Sequence, residues 1–242
     1  MPATSSCDLL VLTAMPEEAA PFRGRLRGAR EVASPLPSPV AAVRGDLEGA
    51  DVLVVTTGIG IAAASAAVTW AILSAGPQVA VSAGSAGGLA ADLDVGSVVV
   101  GDSFAYSIAD ATAFGYAPGQ VPGDPERHLA EPGITDRAER AARDTAPEGV
   151  TVRRGLMLSG DAFVTADLAA PMRERFPGAL SADMETTALA RTCAALDVPF
   201  TAVRSISDLC GPRADQQFHL AVEVVAERSA AAVAAFAGTC RR

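Results

Sequence analysis

Six short apolar runs, at residues 9–15, 52–58, 79–83, 97–102, 155–159 and 200–206, are mostly continuous rather than alternating in polarity. A strand with one face in water alternates apolar and polar residues; a continuous run suits a strand covered on both faces. Helical patterns lie between the runs, at 61–75, 134–146, 170–176, 183–196 and 220–236. Strands and helices in alternation make an α/β fold, expected as a three-layer α/β/α sandwich around a central mixed sheet. A chain of 242 residues suits one such domain, spanning 1–242. Residues 31–44, rich in Pro and Ser, are expected to end in a strand or loop. Residues 113–133, rich in Gly and Pro, read as one long loop of the kind that serves function or an interface.

Composition then removes whole classes of chemistry. All 19 basic residues are arginine, so a P-loop lysine, a Schiff base and a pyridoxal site are excluded. The two histidines, His128 and His219, form no ligand pair, which weakens a histidine-rich metal site and a histidine charge relay. No metal or organic cofactor is implied. The formal charge of −9 lacks any basic cluster, which argues against nucleic-acid or anionic-membrane partners. Cys7, Cys193, Cys210 and Cys240 are scattered without paired spacing, as expected of reduced thiols. No signal-peptide pattern opens the sequence, and no apolar stretch is long enough to span a bilayer. The expectation is a soluble cytoplasmic protein.

Ligands in α/β sheets bind beyond the carboxyl ends of the strands. Here those ends carry Ala14-Met15-Pro16-Glu17-Glu18, Gly58-Ile59-Gly60, Gly84-Ser85-Ala86-Gly87-Gly88, Gly160-Asp161-Ala162-Phe163 and Arg204-Ser205-Ile206-Ser207-Asp208. Each element is ambiguous alone. The Gly58–Gly60 turn lacks the third glycine of a dinucleotide fingerprint. The 84–88 stretch offers several backbone N–H groups, as an anion cradle or simply for close packing. Asp183 and Glu185 are expected in the first turn of a helix, where the dipole favours acidic residues. Asp208 could merely cap a turn.

Taken in order, AMPEE, GIG, GSAGGL, TAFGYAPGQVPG, SGDAF, DMETTALA and SISD resemble the 5′-methylthioadenosine/S-adenosylhomocysteine nucleosidases of the purine nucleoside phosphorylase/uridine phosphorylase superfamily. The resemblance runs from about Leu9 into the last helix, and it implies a nucleoside phosphorylase-like version of the α/β sandwich. It implies hydrolysis of an N-glycosidic bond, in which adenine leaves, the ribose becomes cationic and water attacks. Asp208 then matches the general acid that protonates adenine N7, supported by Ser207. Phe163 matches the ring that stacks on adenine, and Val164 the backbone that reads its edge. Glu185 and Met184 match the ribose pair. Glu18 matches the residue that positions water, together with Ser85 and Arg204; Ala86 and Gly87 belong to the same binding stretch. Ile59 falls near the 5′ substituent. Phe114 and Pro122 match residues that a neighbouring subunit lends to the 5′ pocket, which implies a homodimer.

Some positions depart from the family pattern. Ser107-Ile108 stand where His-Asp is common, Asp183 replaces a glutamate, and Gly211-Pro212-Arg213 looks inserted before Asp215-Gln216-Gln217. Phe218 is a candidate for covering the 5′ group. Three alternatives accompany the nucleosidase reading: a sister nucleosidase with another 5′ tail, such as a futalosine hydrolase or a secondary-metabolism enzyme; a phosphorylase; and a non-catalytic nucleoside binder. A carboxylate at position 18 disfavours phosphate, since two like charges ~4 Å apart cost roughly 1–4 kcal/mol. Arg23, Arg25 and Arg27 lie nearby in sequence and weigh the other way.

Overall fold

The computed structural model describes residues 6–210 and 214–241, with side chains described at 6–210 and 222–241. The insertion at 211–213 and the Phe218 side chain lie outside the described residues.

The strand expected at 9–15 is β1 (Leu9–Thr13), and Pro16 then opens a helix, α1 (Pro16–Arg25), that the apolar pattern does not announce. An antiparallel hairpin follows, β2 (Arg27–Val32) and β3 (Ala41–Leu47), and β3 pairs with β4 (Ala50–Thr56). The helix α2 occupies Ile61–Ala75, as its periodicity predicts. After β5 (Val79–Gly88) and β6 (Val98–Tyr106), the long loop contains a 3₁₀ turn at Thr112–Phe114 and a two-residue strand, β7 (His128–Leu129). Then come α3 (Pro132–Thr145), β8 (Val152–Ser159), α4 (Ala166–Arg175), β9 (Ser181–Asp183), α5 (Thr186–Ala195), β10 (Phe200–Asp208) and α6 (Ala214–Ala237).

The strands form one mixed sheet in the order β10-β6-β8-β9-β5-β1-β4-β3-β2, with β7 on β6. Strand β10 also pairs in parallel with β5, so that end of the sheet curls closed. The continuous apolar runs divide as a doubly covered sheet requires. In β1, Leu9 and Val11 face the α1/α3/α6 side, while Leu10 and Leu12 face α2 and α5. In β4, Val52 and Val54 against Leu53 and Val55 repeat the division. A third cluster packs Ala169 and Met172 of α4, and Phe176 just beyond it, against Leu156 and Leu158 of β8.

Two expectations need correcting. The strand expected at 79–83 runs on through the glycine-rich stretch, so that 84–88 lies inside β5, and the strand expected at 200–206 runs two residues further, to Asp208. They run side by side, with Arg204 opposite Gly84, Ser205 opposite Ser85 and Ile206 opposite Ala86. The ladder then slips between Ile206 and Asp208, an irregularity of the kind that re-aims side chains. Second, Asp183 and Glu185 are not in the first turn of α5. Asp183 ends β9, and Glu185 is the N-cap before Thr186. The reason is local. Asp183 Oδ1 accepts the N–H groups of Glu185 at 2.9 Å and Thr186 at 2.8 Å, so the aspartate itself starts the helix from outside it.

Candidate active site

A cleft enclosing about 710 Å³, open mouth included, lies over the carboxyl ends of β1, β5, β9 and β10. Twelve of the residues singled out in the sequence line it: Glu18, Ile59, Ser85, Ala86, Gly87, Phe163, Val164, Met184, Glu185, Arg204, Ser207 and Asp208. Phe114 and Pro122 do not, and both are exposed, Phe114 to 84%.

Glu18 is buried and serves as acceptor for four donors. Oε2 takes the N–H of Ala14 at 2.9 Å and of Met15 at 3.2 Å; Oε1 takes the N–H and the hydroxyl of Ser85, both at 2.8 Å. The glutamate therefore ties the start of α1 to β5. Such a donor set offsets the cost of placing a carboxylate out of water. Gly84 allows the approach. Its φ of +134° disfavours other residues, and a β-carbon there would run into the Glu18 carboxyl group.

Glu185 is almost wholly buried. Its Oε1 accepts the Gly60 N–H at 3.0 Å, and its Oε2 lies 3.5 Å from Arg204 Nη2. Burial pushes its carboxyl group up to about 7, opposed first by the Arg204 charge. Gly60 reaches this place through a φ of +98°, so the Gly58–Gly60 turn acts as a backbone donor to Glu185. Arg204, 1% exposed, is the only cationic side chain lining the cleft among the described residues. Its Nη1 donates to the Ser85 carbonyl at 2.7 Å, its Nη2 to Ser82 Oγ at 2.9 Å, and its Nε to Thr186 Oγ1 at 3.0 Å.

Asp208, at the end of β10, also lines the cleft. Its Oδ1 accepts the Cys210 N–H at 2.8 Å and its Oδ2 the Ser207 hydroxyl at 3.0 Å. Burial raises its pKa above the ordinary aspartate value, and these hydrogen bonds counter part of the rise. Phe163 and Ile59 are partly exposed at the mouth, 43% and 56%.

Several participants were not singled out. Ser82 and Thr186 share a hydrogen bond at 3.0 Å and together hold Arg204. Ser229 of α6 takes the Gly84 N–H at 2.9 Å and donates to the Val203 carbonyl at 2.7 Å, pinning β5 beside β10. A serine inside an otherwise apolar strand, as at Ser82, was the available signal. Ser107 is buried and its hydroxyl donates to the Ser159 carbonyl at 3.2 Å, while Ile108 is 60% exposed. Arg23, Arg25 and Arg27 pair with Glu31, Glu227 and Asp46 outside the cleft. Among the described residues no group of three or more His, Cys, Asp or Glu is arranged to hold a metal ion. No described helix is long and apolar enough to cross a membrane.

The family model of the phosphorylase superfamily matches residues 8–239. A 5′-methylthioadenosine/S-adenosylhomocysteine nucleosidase of Haemophilus influenzae (strain 86-028NP) is 38% identical over 190 residues, 78% of this chain and 81% of that protein. The crystal structure of the corresponding nucleosidase from Neisseria meningitidis, in complex with methylthio-immucillin-A, superposes with a TM-score of 0.90 at 35% identity, over 96% of this chain and 98% of that one. The nucleosidase from Colwellia psychrerythraea 34H, in complex with adenine, gives a TM-score of 0.91 at 31% identity, covering 96% and 95%. With sequence and fold matched along nearly its full length, the chain belongs to the phosphorylase superfamily and, within it, to the 5′-methylthioadenosine/S-adenosylhomocysteine nucleosidases.

Proposed function

We propose that the protein hydrolyses the N-glycosidic bond of 5′-methylthioadenosine, S-adenosylhomocysteine or both, releasing adenine and a 5′-thioribose. The observation that carries this is the convergence of Glu18, Glu185 and Asp208, all buried, on one cleft. The complexes of related nucleosidases with adenine and with methylthio-immucillin-A support it.

Asp208 is the general acid. Its raised pKa favours holding a proton, which it gives to adenine N7 as the bond to C1′ breaks. Glu185 accepts the ribose hydroxyls and stabilises the cationic sugar, with Met184 against the sugar face. Glu18, Ser85 and Arg204 place a water whose oxygen bonds to C1′ while its proton passes to Glu18. Phe163 stacks on adenine and the Val164 backbone reads its edge. Ala86 and Gly87 floor the site, Ser207 steadies Asp208, and Ile59 meets the 5′ group. Glu18 also speaks against phosphorolysis, because phosphate would face a buried carboxylate. The three arginines near it in sequence are paired elsewhere.

The working unit is a homodimer in which Phe114 and Pro122 reach the partner's 5′ pocket; the 84% exposure of Phe114 supports this. The domain spans 1–242. The four cysteines are free and buried, which suits a reducing cytoplasm. The test is an adenine-release assay over 5′-methylthioadenosine, S-adenosylhomocysteine, futalosine and 5′-deoxyadenosine, with and without phosphate. Phosphate-independent release from the thio-nucleosides is expected. A requirement for phosphate, or release only from another nucleoside, would overturn the assignment.

A further inference from the structure

Asp183 stands where β9 gives way to α5 and lines the cleft. Its two carboxylate oxygens are used very differently. Oδ1 accepts three hydrogen bonds, from Ser159 Oγ at 2.8 Å, Glu185 N at 2.9 Å and Thr186 N at 2.8 Å. Oδ2 is buried and accepts none. It lies 3.2 Å from Arg204 Nε, whose single hydrogen is shared between Thr186 Oγ1 and Ser82 Oγ, so the two make an ion pair without a hydrogen bond. A buried carboxylate oxygen without a hydrogen bond is costly. Starting α5 requires only Oδ1, and an asparagine would do that equally well. The negative charge is the part that helix initiation leaves unexplained.

That charge acts on the guanidinium which also faces Glu185, 3.5 Å away on Nη2. We infer that Asp183 is a positioning residue whose charge, set against Glu185 across Arg204, fixes the pH range in which Glu185 presents an ionised carboxylate to the cleft. The inference rests on the nucleosidase reading, in which Glu185 binds ribose. Glu185 is faced by Arg204 of β10, Asp183 of β9, Glu18 of α1 and the Gly60 N–H ahead of α2. Arg204 and Gly60 favour its ionised form; Asp183, Glu18 and burial oppose it. Asp183 itself is faced by Arg204, by the Ser159 hydroxyl of β8 and by the start of α5. Neutralising Asp183 removes an opposing charge and leaves Arg204 facing Glu185 and Glu18 only. Both effects lower the pH at which Glu185 ionises.

The experiment compares wild type, Asp183→Asn, Asp183→Ser and Asp183→Glu. Asparagine keeps the Oδ1 contacts and loses the charge; serine loses the charge by a different geometry; glutamate keeps it. Two readouts are taken: the pH profile of kcat/KM for 5′-methylthioadenosine, and a carboxyl-carbon NMR titration of Glu185 in the free protein. The Glu185 midpoint is expected to fall by ~1 pH unit or more in the uncharged variants and to stay near wild type in Asp183→Glu. Either uncharged variant, folded and with the midpoint unmoved, would overturn the inference, as would an equal shift in Asp183→Glu. Absence of adenine release by wild type would instead remove the nucleosidase reading, and the NMR titration would still decide the role of Asp183.

Discussion

Gly84 lies directly under the carboxyl group of Glu18, so close that a β-carbon on the glycine would collide with the carboxyl carbon and Oε1. The glycine also holds a φ of +134°, a conformation other residues rarely adopt. Gly84→Ala is therefore expected to push Glu18 off the Ser85 N–H and hydroxyl. Turnover should fall by about 100-fold or more, as misplacement of a reacting group by an ångström does. Backbone strain should lower stability by roughly 1–3 kcal/mol. Steady-state kinetics with a thermal melt separate the two effects. Wild-type turnover in Gly84→Ala would mean that Glu18 does not hold the attacking water.

Much of this arrangement was legible in the sequence because it sits on buried strands. Leu9 to Leu12 are apolar without interruption because α1, α3 and α6 cover one face and α2 and α5 the other. Where packing is one-sided or absent the signal disappears. Strand β2 is exposed at five of its six positions, and its pairing with β3 is a matter of backbone hydrogen bonds. Helix α1 is short, polar and carries Pro21 within it, so its periodicity is faint. Glu18 and Asp208 stood out as carboxylates near strand ends, and Glu185 as one at the start of a helix. The support beneath them did not, because Arg204 reaches Ser82 across 122 residues and Thr186 across 18. No local pattern encodes such links. The same holds for Asp183, whose helix-starting role depends on a turn that shifts α5 three residues beyond the expected start.

Asp208→Asn keeps the shape of the cleft and cannot deliver a proton. Nucleoside binding should survive while kcat falls ~10²–10⁴-fold, the usual worth of general acid catalysis. Ser207→Ala is milder. It removes a hydroxyl donor, 3.0 Å from Oδ2, that favours the ionised form of Asp208. The acid should then stay protonated to higher pH, and the alkaline limb of the kcat profile should move upward. An alkaline limb that moves downward would assign that limb to another group.

Phe114 is exposed to 84% at the end of the 3₁₀ turn and does not line its own cleft. In the dimer proposed above, Phe114→Ala should raise KM for S-adenosylhomocysteine more than kcat changes, with a smaller effect on a nucleoside lacking a 5′ tail. Light scattering run alongside the kinetics reports whether the variant remains dimeric. A KM change that ignores tail length would remove Phe114 from the 5′ pocket.

Burial of Glu185 links the site to stability. Its carboxyl group rises from the ordinary 4.5 to about 7 on folding, chiefly through desolvation. A raised carboxylate pKa means that the folded state binds the proton more tightly than the unfolded chain. The sign follows: this group's stabilising contribution is fully present below pH 4.5 and is lost as pH climbs through about 7. The loss is on the order of 3 kcal/mol. Glu185→Gln retains an acceptor for the Gly60 N–H and cannot ionise. Its melting temperature should therefore decline less than that of wild type between pH 5 and pH 8, while ribose binding weakens because the carboxylate is gone. Urea unfolding at the two pH values measures the difference directly. If wild type and Glu185→Gln show parallel pH dependence, Glu185 does not carry a raised pKa in the folded protein, and the charge balance drawn among Asp183, Arg204 and Glu185 is wrong at its centre.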